Sequence, residues 1–242
     1  MFESLLITPP RSSIIVPSGN PLAGYNWDAN ASTGSQLITP SVAGTLIAPP
    51  VPTAGALQGY SKILKCGGGA PNVELLPRSF ANVGLGDYTV EFRILLGASS
   101  GYVDLFTIYS NPYYIYARIG DSGFGNRVQV SMYPTTIAGC WNIPYSRTDM
   151  TNAWRHMVLQ RRSNKFSCWF DGVKQSLANG TGSTYNTPDA DVSGMTITNA
   201  SFAGFDGTAS NVVYVAEVAF FNIAKYTGNF TPPVGYMYPI PS

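Results

Sequence analysis

The chain has 242 residues, of which 45% are hydrophobic and only 11% charged, with 25 Gly, 18 Pro, 15 Tyr, 12 Phe and a formal net charge of +1. That length is enough to bury a sizeable core, and a charge share about half the usual one, without long like-charge runs, leaves no electrostatic footprint for nucleic acid or an anionic membrane. Every apolar run falls short of the ~18 residues a membrane span needs, and the opening MFESLLITPPRSS has no basic region and too short an apolar stretch for a secretion signal, so folding in a cytosol is expected.

Cys66, Cys140 and Cys168 are an odd number without C-x-x-C spacing. They predict reduced, buried thiols, with no disulfide framework and no zinc site. The sequons at Asn30, Asn179, Asn199 and Asn229 then carry no meaning, because glycosylation requires secretion. No cofactor is expected.

From Thr8 to Pro52, prolines stand at 9, 10, 17, 21, 40, 49, 50 and 52. Each lacks an N–H donor and fixes its own φ, so the stretch predicts an extended arm without continuous ladders, residues 1–58, ahead of a domain over 59–242. The arm carries apolar islands, Leu5, Leu6 and Ile7, then Ile14, Ile15 and Val16, where a solvated linker would be polar. These six are the expected docking residues, against the arm's own domain or a neighbouring subunit.

Past Tyr60 the pattern becomes alternation. In DYTVEFRILLG, Val90, Phe92, Ile94 and Leu96 share one face and Thr89, Glu91 and Arg93 the other, as in a half-buried strand. GYVDLFTIYS, YYIYARIG and RVQVSMYP follow, each of strand length and bounded by turn formers. WRHMVLQ and KFSCWFDG predict a hairpin turning over Arg161 to Asn164, with Phe166, Cys168 and Phe170 on one face and Asp171-Gly172 as the next turn. MTITNASFAGF and NVVYVAEVAFFNIA supply the last strong strands. With no sustained helical period capped at both ends, the fold class is all-β, a two-sheet antiparallel sandwich or jelly roll with an extended N-terminal arm.

DYTVEFRI, AWRHMVLQRRSNKFSCWFDGVKQ and VAEVAFFNIAKYTGNFTPP occur in the order and spacing of the concanavalin A-like lectin/glucanase superfamily. Over about Lys62 to Pro233 the chain resembles its laminin-G-like jelly-roll domains. The YTGNFTPP ending is similar to versions in virion proteins of tailed bacteriophages. The resemblance implies a virion protein made in the host cytoplasm: a capsid decoration, head fibre or tail appendage joined to other virion proteins through its arm and present as a homo-oligomer or in many copies. A carbohydrate-binding adhesin for host attachment is the alternative. Physically, Gly228 and Asn229 suit a turn out of the sheet, Phe230 pins the exit at the core edge and Pro232-Pro233 blocks further pairing, so the ending is expected to close a sheet edge.

Enzymatic readings fit poorly. Retaining glucanases place two carboxyl groups about 5–5.5 Å apart, whereas Asp87 and Glu91 would stand ~13 Å apart along one strand; Asp189 and Asp191 fall in a polar loop. GDSG at Gly120 to Gly123 resembles a protease nucleophile loop, but the sole histidine, His156, follows Ser122, and turn chemistry explains the residues. His156 has no second histidine for a metal site and shares a face with Trp154 and Val158, so a hydrogen-bonded, packed imidazole with a structural role is expected. Asp206 and Asn211 offer at best two oxygens to calcium. No catalytic residue and no metal site are expected. For glycan, aromatic rings near loops can stack on sugar faces, and Tyr113, Tyr114, Trp141 and Tyr145 are the candidates.

Overall fold

The alternation in β7 (Tyr88–Leu96) sends Val90, Phe92, Ile94 and Leu96 into a core between two sheets. The computed structural model describes residues 23–26, 31–33, 39–40, 45–68, 73–76, 86–97, 99, 103–110, 113–120, 127–133, 140–163, 165–175, 190–191, 199–202, 211–235 and 237. In the larger sheet the order is β14 (Val173–Lys174), β13 (Lys165–Phe170), β12 (Arg155–Arg162), β7, β17 (Val212–Phe221), β1 (Ala23–Asn26) and β2 (Ala31–Thr33). On this sheet β15 (Ala190–Asp191) pairs with β13, and β5 (Ile63–Gly67) lies between β17 and β4 (Thr45–Ile47). The second sheet runs β11 (Cys140–Ser146), β10 (Arg127–Tyr133), β9 (Tyr113–Ile119), β8 (Val103–Ser110), β16 (Asn199–Phe202), β6 (Val73–Leu76) and β3 (Thr39–Pro40). The pairings of β7 with β12 and β17, and of β9 with β8 and β10, are antiparallel, and the fold is an all-β antiparallel sandwich.

Phe92 of one sheet meets Phe106 of the other with ring centroids 4.6 Å apart. Phe166, Cys168 and Phe170 join this core as their alternation predicts, and Cys66 and Cys168 are free and buried. Burying each phenyl ring contributes about 2–3 kcal/mol. Burial also pushes the Cys168 thiol well above its ordinary pKa, so it stays protonated and inert. Of the predicted strands, all eight form.

Three local elements went unforeseen. The six-residue helix α1 (Arg147–Asn152) is built on a capping box in which Ser146 and Asp149 satisfy each other's backbone N–H groups, a signal present in Ser-Arg-Thr-Asp. The β12–β13 turn is tighter than expected, with β12 running to Arg162 and Ser163 at φ 49°. A register shift in β17 between Val215 and Val218 inserts one extra residue against β7. The bulge turns Ala216 and Glu217 onto the outer face together.

Two expectations meet a different arrangement. Within the proline-rich segment, residues 23–47 contribute four short strands, β1 on β17, β2 on β1, β3 on β6 and β4 on β5. Pairing crosses the expected boundary at 58/59, because ladders of two to four residues fit between prolines where longer ones do not. Leu5, Leu6, Ile7, Ile14, Ile15 and Val16 lie outside the described residues.

The outer face of β7 is also not solvated. Every residue of the strand is buried on both faces. The cover is the segment Lys225–Val234, so the YTGNFTPP ending crosses a sheet face and does not close an edge, β17 being internal to its sheet.

Candidate functional site

Beneath this strap lies a buried polar cluster. The Lys225 ammonium stands 2.5 Å from Glu91 Oε1, and the Tyr226 hydroxyl donates to the same oxygen at 2.9 Å. His156 Nε2 is 3.5 Å from Glu91 Oε2. Burial disfavours the carboxylate, but His156 and Lys225 outweigh it and hold Glu91 down to about 2. Gln160 accepts from the Tyr226 N–H and donates to its carbonyl, both at 2.8 Å, while Trp169 Nε1 donates to Gly228 O at 3.0 Å. Phe230 stacks on Tyr226 at 3.9 Å and meets His156 edge-on at 5.7 Å. His156 is therefore packed, as its strand face predicts, and this cluster serves to hold the strap.

At the far end of the strap Arg93 donates to the carbonyls of Pro233 and Val234. Glu217 accepts from the Met237 N–H. Burial raises its carboxyl to about 7 against the opposing pull of Tyr60, the Met237 amide and Arg93.

Two cavities flank the strap on this outer face. The first, about 320 Å³, lies between Ala54–Gln58, the start of β12 and Pro232–Val234, and Trp154, Arg155, His156, Asp171 and Arg93 line it. Its geometry is fixed from behind. Trp154 Nε1 donates to Pro50 O at 3.3 Å, which anchors a half-buried indole in the lining. Arg155 donates to Asp171 Oδ2 at 2.8 Å and to the Asp149 carbonyl in the first turn of α1. Asp171 Oδ1 takes the His156 N–H at 2.9 Å. Neither imidazole nitrogen of His156 meets hydrogen-bond geometry with a described residue. An aromatic plate beside converging donors and acceptors suits a ligand with a ring of C–H groups and several hydroxyls.

The second cavity, about 290 Å³, lies at the β12–β13 turn and is lined by Arg162, Ser163, Lys165, Ser167, Lys174 and the start of the strap.

The four aromatic residues expected to bind glycan do not gather. Tyr113 and Tyr114 begin β9, Trp141 stands in β11 opposite Val130, and Tyr145 lies at the other end of β11, so all four stand near the ends of strands. Tyr145 is half-buried, 4.8 Å from Phe170 and with the Arg155 guanidinium 4.6 Å above its ring, so it supports the first cavity from below. Trp154, which sequence reasoning used only to orient His156, is the aromatic residue that lines the first cavity.

Glu91 is enclosed by Lys225 and Tyr226, and Asp87 Oδ1 accepts the Ser163 N–H at 2.7 Å. Ser122, Asp189 and Asp206 lie outside the described residues, and Asn211 is buried. Among the described residues no group of three or more His, Cys, Asp or Glu could hold a metal ion.

No family model and no curated protein matches the chain. Solved structures do. The chain is similar to the botulinum neurotoxin serotype G binding domain, with a TM-score of 0.55 and 13% identity over 85% of this chain and 48% of that one. It is similar to the binding domain of botulinum neurotoxin DC in complex with rat synaptotagmin II, with a TM-score of 0.57 and 11% identity over 84% and 48%. A Trypanosoma rangeli sialidase in complex with the inhibitor DANA matches with a TM-score of 0.54 and 15% identity over 86% and 32%. At such identities the likeness shows the fold. The chain spans about half the length of the neurotoxin domains and a third of the sialidase.

Proposed function

We propose that the chain is a recognition domain of a tailed-bacteriophage virion that binds a surface glycan in the Trp154 cavity. The observation that carries the reading is the fixed indole beside Arg155, Asp171 and Gln58 in a cavity of about 320 Å³, the size of a small sugar unit. Structures whose names call them binding domains share the fold, and the virion assignment rests on the sequence resemblance. Tyr113, Tyr114 and Trp141, on the other sheet, are the competing location for sugar.

A glycan array with the wild type, Trp154→Leu, Gln58→Ala and Trp141→Ala tests this. Binding lost in the first, weakened in the second and kept in the third supports the cavity, provided melting curves show each variant folded. No glycan signal in the wild type overturns the reading.

A second reading, assembly onto the particle, draws on an apolar surface. Pro50, Val51, Pro52, Leu95, Leu96 and Tyr214 line a hollow of about 380 Å³, and Val51 is 73% exposed. Together with the apolar islands of residues 1–58, this favours docking on other virion proteins or on further copies of the chain. Co-sedimentation with particles lacking the protein, abolished by Val51→Asp, is the expected result.

A further inference from the structure

We infer that the cavity at the β12–β13 turn binds a compact oxyanion, the sulfate, carboxylate or phosphate group of a sugar ligand. The register carries the argument. Arg162 and Lys165 stand directly opposite each other across the hairpin, and both are exposed. Like charges so placed repel, and an anion seated between them reverses the sign of that interaction. Lys174 extends the same face from β14, its ammonium 5.4 Å from the Trp169 ring centroid, while its backbone N–H is held by Asn229 Oδ1 at 2.8 Å.

Thus three of the chain's 14 Lys and Arg residues line one cavity of about 290 Å³, to which Ser163 and Ser167 add hydroxyls. Among the described residues, the Asp87 carboxylate takes the Ser163 N–H, and Asp191 stands opposite Lys165 in register on β15. A hollow with three cations fits one anionic group. A nucleic-acid backbone would need a stripe of basic residues, and the chain's net charge is only +1. Arg supplies a planar fork and Lys a point charge, both suited to tetrahedral and carboxylate oxyanions.

The site is independent of the Trp154 cavity, so the two can fail separately. Amide chemical shifts of the full chain are followed during titration with sodium sulfate, sodium phosphate, glucuronic acid and glucose at matched ionic strength, with chloride as reference. The expected result is saturable shifts at Ser163, Lys165 and Lys174 with one or more of the anions and none with glucose or chloride. Affinity should fall about tenfold or more in Arg162→Gln/Lys174→Gln, as loss of charge-assisted hydrogen bonds implies. Asp191→Asn, which removes a negative charge from the position opposite Lys165 in register, should strengthen binding, and this second variant keeps the test open if the first does not fold. The order among sulfate, phosphate and glucuronate identifies the source group. Shifts that do not saturate, that match chloride or that survive the double substitution overturn the proposal, as does tighter binding of a DNA oligonucleotide than of any of these anions. Glycan binding through Trp154 should persist in both variants.

Discussion

The Phe230 N–H donates to Gly172 O at 2.8 Å, and a Cβ on Gly172 would stand 1.9 Å from Phe230 O. Gly172 sits at φ 78° after Asp171 at φ 48°, so this turn bears both a left-handed backbone and the passage of the strap. Gly172→Ala should therefore destabilise twice over, through the positive φ and through displacement of the strap. The expected loss is about 2–4 kcal/mol, roughly 4–16 °C in Tm for a chain of this size. Calorimetry checks it, and an unchanged Tm would mean the strap does not rest on this turn.

Lys225→Met should cost about 3–5 kcal/mol in urea denaturation, because it leaves the buried Glu91 carboxylate without its cation. Replacing both as Glu91→Leu/Lys225→Met should be milder than the single change, since no buried charge is then stranded. A double variant worse than Lys225→Met would show that the pair stabilises outright.

Stability should rise as the solution is acidified from neutrality. Glu217 has a folded pKa of about 7, above the ordinary carboxyl value, so the folded state holds its proton more tightly than the unfolded chain does. This contribution is present below the unfolded pKa of about 4.3 and fades as pH rises through about 7. Glu91, held down to about 2, acts in the opposite sense, contributing stability above the unfolded pKa that is lost as pH falls from about 4 toward 2. A Tm maximum at about pH 4.3, the shared unfolded pKa, is the expectation from these two groups, and Glu217→Gln should flatten the slope between about pH 5 and 7 while leaving the acid limb. A wild-type Tm level across that upper window would contradict the raised carboxyl.

The legible part of the fold is the part written in period two. Val90, Phe92, Ile94 and Leu96 declared their face, and Phe166, Cys168 and Phe170 declared theirs. Thr89, Glu91 and Arg93 look like an exposed face by the same rule, yet they are buried under a strap more than 130 residues later in the chain. Alternation reports which face is polar, and a polar face can be buried when a distant segment brings the matching donors and acceptors. Trp154 was hidden for a related reason: its indole is oriented by the Pro50 carbonyl, a contact between segments about a hundred residues apart. The paired cations 162 and 165 needed only the hairpin register, which the sequence places within a residue or two.

The proline-rich segment yields the last prediction. A free arm could be removed without harm, and deletion of residues 1–56 would leave a folded domain. The strands argue otherwise. That deletion strips β1 from residues Glu217–Phe220 of β17 and β4 from β5, leaving unpaired backbone along both. It also removes the Pro50 carbonyl that holds Trp154 and the Ala54 N–H that binds Asn152 O at 2.8 Å. Exposed ladder groups on an otherwise complete sheet invite pairing with other chains. The 57–242 fragment should therefore aggregate or melt well below the full chain, as light scattering during a thermal ramp would show. A monomeric fragment with an unaltered Tm would mean that β1 to β4 lie on the sandwich without supporting it, and the segment would then be an arm in the simple sense.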